Sequence, residues 1–298
     1  MTTLSERREP VLRVYRARDD IAAADDWGYF GPGSVIWRVN QEAAVGLGLG
    51  RALLLQLAHP FVAQAVADHS TFPDEAEERL AATWIAASHL VFGSCALADG
   101  VSARIRAIHA RVHGSMAEDV GRWRRGVVYT AEDPDALLWV LITLAETSLL
   151  LYQHFIRPLS CQEQASYLAD AERLGVMMDV RTGRLPRSLA GLQLFIEERI
   201  ADGTACVGQQ ALALARACLN PPLNDLPEPL RRLYRSLQRT ICHGLLPAEL
   251  RRQYQPVLDE RPNMADRMLE STLRAAVRYL PPRVRCDPLA WAAIQRWR

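Results

Sequence analysis

Two histidines set four residues apart, His109 and His113, are the densest ligating chemistry in this 298-residue chain. On one helix their rings would share a face at roughly 6 Å between Cβ atoms, near enough to chelate one small metal ion. A zinc or non-haem iron site would need a third donor, and His59, His69, His89 or a carboxylate could each supply it. Every one of these histidines also has a plainer reading as a hydrogen-bonded structural residue. Arg79 and Thr83 repeat the four-residue spacing, so a guanidinium and a hydroxyl would address one small volume from one helix face. Glu146 lies in the apolar run Ala136 to Tyr152, where a carboxylate needs either a partner or a raised pKa. The second case would suit proton transfer; a structural hydrogen bond to a neighbouring helix accounts for it equally.

Several chemistries are excluded. The 35 basic residues are all arginine, which removes lysine Schiff bases and a phosphate-loop lysine. Gly46-Leu47-Gly48-Leu49-Gly50 follows no strand and reads as close helix packing, not as a nucleotide cradle. There is no Glu-x-x-His of carboxylate di-iron bundles, no His-Glu-x-x-His and no Gly-x-Ser-x-Gly. Basic and acidic residues, 35 against 34, nearly cancel, so no global field favours nucleic acid. The six cysteines are scattered, without a C-x-x-C pair or a C-x-x-C-H haem attachment, and read as reduced thiols.

An ordered set of short motifs runs from His59-Pro60 through His69-Ser70-Thr71-Phe72-Pro73-Asp74, Arg79-Leu80-Ala81-Ala82-Thr83 and Phe92-Gly93. It continues with Ile108-His109 and Gly114, then Tyr129, Ala131, Asp133-Pro134 and Ala136-Leu137-Leu138-Trp139-Val140. In that order, across about residues 31–200, the chain resembles the MpaB-type oxygenase family, which includes the rubber-cleaving latex-clearing proteins. The resemblance implies an all-helical haem b protein with His109 as the axial iron ligand, leaving the opposite face for dioxygen or peroxide. It also implies that Arg79 and Thr83 lie near the haem as catalytic hydrogen-bond donors. His59, His69 and Arg111 are then candidate propionate partners, and Trp139 a haem-wall aromatic. Architectural roles stand beside these for His59, His69 and Trp139. Two positions depart from the family pattern, Ala82 where a basic residue is common and Leu141 where histidine is common. The implied reaction is oxidation of an apolar small molecule, with oxidative cleavage of a carbon-carbon double bond as the specific form. A haem carrier or sensor without turnover, or a non-haem metal protein using His109 and His113, are the competing readings.

The elements that must position these residues read as helices nearly throughout. Apolar positions recur at helical spacing over 41–57, 60–68, 74–92, 99–114, 134–156, 162–174 and 186–202. They do so again over 206–219, 227–243, 247–254, 263–278 and 287–297. Pro60 and Pro134 suit first helical positions, Ser160 with Glu163 forms a capping box, and Pro73-Asp74 precedes a helix. Asn220-Pro221-Pro222 and Pro281-Pro282 stop helices. Val127-Val128-Tyr129 is too short to found a sheet. The expectation is an all-α fold, globin-like in packing around buried central helices. It forms one domain over 1–298 with a C-terminal helical part from 201. Ala136 to Tyr152 is shorter than the roughly 20 residues of a membrane span and reads as a buried helix. The polar start, Met1 to Pro10, lacks the apolar core of a secretory signal, so a cytoplasmic location is expected.

Overall fold

The computed structural model describes residues 9–23, 25–70, 76–219, 227–258 and 261–296, with the backbone alone for 9–15 and 76–80. The chain begins with α1 (Glu9–Ala22), α2 (Val35–Asn40), α3 (Ala43–Gly46), α4 (Leu49–Leu57), α5 (Pro60–His69), α6 (Ala76–Phe92) and α7 (Cys95–His109). A hairpin of β1 (His113–Ser115) and β2 (Val128–Thr130) follows, then α8 (Pro134–Phe155), α9 (Cys161–Met177), α10 (Leu189–Ala201) and α11 (Gln209–Leu219). The last elements are α12 (Glu228–Leu245), α13 (Ala248–Gln253), α14 (Met264–Ala276), α15 (Pro282–Arg285) and α16 (Pro288–Gln295). The fold is all-α, with one two-stranded sheet among the described residues.

Local chemistry sets the ends of these helices. Asp133 caps α8 by accepting from the amides of Asp135 and Ala136, with Pro134 at the first helical position. Ser160 and Glu163 close the capping box of α9 as the spacing predicts. Pro60 opens α5 after an extended His59, and the helix ends at His69. The predicted helix over 41–57 is instead two, because the chain turns at Leu47-Gly48, where a Cβ on Gly48 would lie 2.6 Å from Thr147 Cγ2. Short helices α2 and α15, and α1 near the N-terminus, carry too few turns or too polar a pattern to be read from periodicity. Pro73-Asp74 and Asn220-Pro221-Pro222 lie outside the described residues.

The centre of the molecule is α8. Its residues Leu138, Trp139, Ile142, Ala145, Leu149 and Tyr152 join the main apolar cluster, and it touches α2, α3, α4, α9, α10 and α14. At 22 residues α8 is long and apolar enough to cross a membrane, so the length argument drawn from Ala136 to Tyr152 fails. The burial argument stands, since 67% of the apolar window is buried inside the protein, as in a core helix. A second cluster packs Ile21, Trp37, Phe92, Leu289 and Ala293, joining α1, α2, α6 and α16.

Candidate functional site

His109 is the last residue of α7, not a mid-helix residue. After it the chain turns through Ala110 and Arg111 and becomes extended, so His113 opens β1 and is exposed. The predicted helix over 99–114 is therefore corrected to Cys95–His109, and the two imidazoles do not share a helix face. Strand pairing overrides the helical pattern here: Gly114 faces Tyr129 and Ser115 faces Val128 across the hairpin. Gly114 has a steric reason, because a Cβ at that position would sit 2.6 Å from the Tyr129 hydroxyl. Among the described residues no three His, Cys, Asp or Glu side chains gather to hold a metal ion. The chelate reading of His109 with His113 loses its geometry.

His109 is half-buried, and burial pushes its imidazole below the usual histidine range although the carboxylates of Glu132 and Asp179 pull the other way. At neutral pH the ring is uncharged, the form in which imidazole ligates metals. Neighbouring Arg106 pins this last turn of α7 to the end of α9 by donating to the Met177 carbonyl, and its Nε lies 4.0 Å from Asp179. The same end of α9 is packed by α8, where Gly175 leaves room for Leu141. One turn further along α8, Leu144 is 38% exposed although the helix is buried along most of its length. Ile108 and Val176 also show apolar surface to solvent, at 47% each. His109 thus lies where the ends of α7 and α9 meet, and those two helix ends also expose Ile108 and Val176.

The other predicted residues fall into separate places. Thr83 is on the exposed side of α6, while the Arg79 side chain lies outside the described residues. Arg111 is exposed and its Nε donates to the Ala107 carbonyl at 3.0 Å. His69 ends α5 and bonds the His113 carbonyl at 3.1 Å, stitching that helix to the hairpin. Trp139 is buried and donates its indole N–H to the Leu55 carbonyl at 2.9 Å, tying α8 to α4. Leu141 is buried in the main cluster and fills space beside Gly175. Ala82 is exposed on α6.

His59 has an unusual environment. It is 1% exposed, neither ring nitrogen has a hydrogen-bond partner among the described residues, and its ring lies 5.6 Å from Phe61, 5.8 Å from Trp123 and 6.3 Å from Trp139. Burial pushes its pKa down to about 4, against the pull of Asp133 and Asp135. Glu146 has the partner its position demanded. Arg51 on α4 grips it with two nitrogens at 2.5 and 3.0 Å and also donates to the Thr147 hydroxyl at 2.6 Å. Sequence reasoning missed Arg51, although its place as the single charge in an apolar helix was a signal. Arg106 reads from the sequence as one of a local basic cluster with Arg104 and Arg111, and the structure engages it with the Met177 carbonyl.

Residues 37–285 match the family described as the catalytic domain of the ER-bound oxygenase mpaB/B' and rubber oxygenase. The chain belongs to this oxygenase family. The match reaches well beyond residue 200, so α11 to α15 are part of the family's catalytic domain. No curated protein and no solved structure matches the chain.

Proposed function

We propose that this protein is a haem b-dependent oxygenase acting on an apolar organic substrate, with His109 as the residue that would hold the haem iron. The observation that carries the reading is the oxygenase-family match over residues 37–285 together with a half-buried, neutral imidazole at His109. The donor chemistry fits a haem iron held by one imidazole from the protein, and the exposed apolar Ile108 and Val176 at the ends of α7 and α9 fit a macrocycle or substrate that shuns water. Haem, when bound, supplies the redox chemistry that activates dioxygen or peroxide.

The protein's own residues then hold and orient. His109 contributes a neutral nitrogen, kept so by burial, on a helix end that Arg106 fixes against α9. Thr83 and Arg79, one turn apart on α6, supply a hydroxyl and a guanidinium as hydrogen-bond donors for a small oxygen-bearing ligand. Arg111 is the nearest guanidinium in sequence for a propionate carboxylate. The specific reaction proposed is oxidative cleavage of a carbon-carbon double bond in an apolar substrate. Leu141, where histidine is common in the family pattern, packs in the core beside Gly175.

The test is the absorption spectrum of protein produced with iron and a haem precursor. Wild type should show an intense Soret band, His109→Ala should lose or strongly shift it, and His113→Ala should keep it. A wild-type protein that shows no Soret band after saturation with haem rejects the proposal.

A further inference from the structure

One cavity lies far along the chain from His109, and none of its described lining residues takes part in the proposed oxygenase chemistry. It has a volume of about 660 Å³ and lies where the end of α12, α13, the segment after it and the start of α14 converge. Arg251, Arg252, Arg261 and Arg267 line it, with the Thr240 and His243 side chains beside them, and among the described residues no carboxylate is part of the lining. Among the described residues only Arg252 of the four arginines has a carboxylate partner, Glu249, which it holds at 2.7 Å. Arg251 is braced differently, with one nitrogen donating to the His243 carbonyl at 2.5 Å.

Like charges around one volume repel, and the repulsion is relieved when an anion enters. The placement of Arg267 sharpens the point. It stands in the first turn of α14, where the helix dipole disfavours a cation, while the helix's own cap is already satisfied by Asn263 and Asp266. Guanidinium forks match the oxygens of phosphate, and a volume of this size exceeds a bare oxyanion and falls in the range of small-molecule sites. Leu258 and Pro262 give the cavity an apolar wall for the rest of such a ligand.

We infer that this cavity is a binding site for an organic phosphate, either a free phosphorylated small molecule or the headgroup of an anionic phospholipid. Arg261 and Arg267 contribute the forks not engaged by carboxylates, and Arg251 and Arg252 hold the floor. The site does not depend on haem, so its test and the failure of the oxygenase reading are separable.

The full chain is titrated by thermal denaturation and calorimetry with inorganic pyrophosphate against chloride at matched ionic strength, and by sedimentation with phosphatidic acid vesicles against phosphatidylcholine vesicles. Wild type should bind one of the phosphate ligands, with a Tm rise of a few degrees at large excess of pyrophosphate or co-sedimentation with phosphatidic acid. Affinity should fall as salt rises. Arg261→Gln/Arg267→Gln changes two exposed side chains, and it should weaken binding at least ten-fold while keeping the unliganded Tm. Binding of pyrophosphate alone identifies a soluble ligand, and binding of phosphatidic acid alone identifies the lipid source. Asp259 and Glu260 lie outside the described residues, and they provide a control: binding that appears only in Asp259→Asn/Glu260→Gln means the chain neutralises its own arginines and overturns the inference. Absence of binding to every phosphate probe, or equal binding by wild type and the double arginine variant, overturns it as well.

Discussion

At the scale of single residues, His59 shows how burial sets protonation. Its imidazole is enclosed by Phe61, Trp123 and Trp139, and its pKa is pushed down to about 4. An unfolded chain would protonate this histidine near pH 6.5, so between pH 6.5 and 4 the unfolded state binds more protons than the folded one. Stability is therefore full above pH 6.5 and declines as pH falls through that window. The decline should amount to on the order of 3 kcal/mol by pH 4. His59→Leu, close in volume, should remove this share of the acid-side slope. At pH 7 it should change stability by less than about 1 kcal/mol, since two unpartnered polar atoms leave the core together. Urea midpoints measured from pH 7.5 to 4 check this, and parallel declines in both proteins would show that another group governs acid unfolding.

At the scale of elements, the clamp between α4 and α8 is an ion pair whose members are 2% and 1% exposed. Arg51→Met should cost on the order of 3–5 kcal/mol, because Glu146 is left buried without its cation, whereas Arg51→Met/Glu146→Leu should recover most of that loss. Chemical denaturation of the three proteins decides the matter, and a double variant no better than the single one would mean the pair itself carries the stability. The same clamp illustrates what was legible in the sequence. That Glu146 needed a partner follows from its apolar neighbours, but Arg51 is 95 residues away and only the crossing of two helices brings it there. The all-α class, the helix starts at Pro60, Pro134 and Ser160, and the buried central helix were legible because caps and periodicity are local. The end of α7 was not, because His113–Ser115 leaves the helix to pair with a strand beginning at Val128. Two local signs pointed that way: Gly114-Ser115 are weak helix formers and Val127-Val128-Tyr129 strong strand formers. The motif residues likewise divide by what surrounds them. Gly114, Tyr129, His69 and Trp139 are accounted for by contacts between elements, while His109 lies at a helix end beside exposed apolar side chains.

At the scale of the whole molecule, the first and last described helices pack together. Cluster residues Ile21 of α1 and Leu289 and Ala293 of α16 pack with Phe92 of α6, and Arg296 donates to the carbonyls of Ile21 at 3.2 Å and Phe92 at 2.9 Å. Trp84 of α6 donates its indole N–H to the buried Asp287 carboxylate at 2.7 Å. The helix that carries Arg79 and Thr83 is therefore held by terminal elements, while α8 is held by the main cluster, and Leu174 of α9 packs against both. Leu289 is fully buried, so Leu289→Ala should cost about 2–5 kcal/mol by leaving a cavity, a fall in Tm on the order of 5–10 °C. The loss should not spread evenly. Amide exchange should quicken over residues 81–92 and in α1, whereas the interior of α8 should keep its protection, because sub-global opening follows the boundaries of packed clusters. Equal acceleration in α8 would instead mean that Leu174 couples the two clusters into one cooperative unit. Any change at the terminal helices would then reach the His109 end of α9 as directly as a change in the central core.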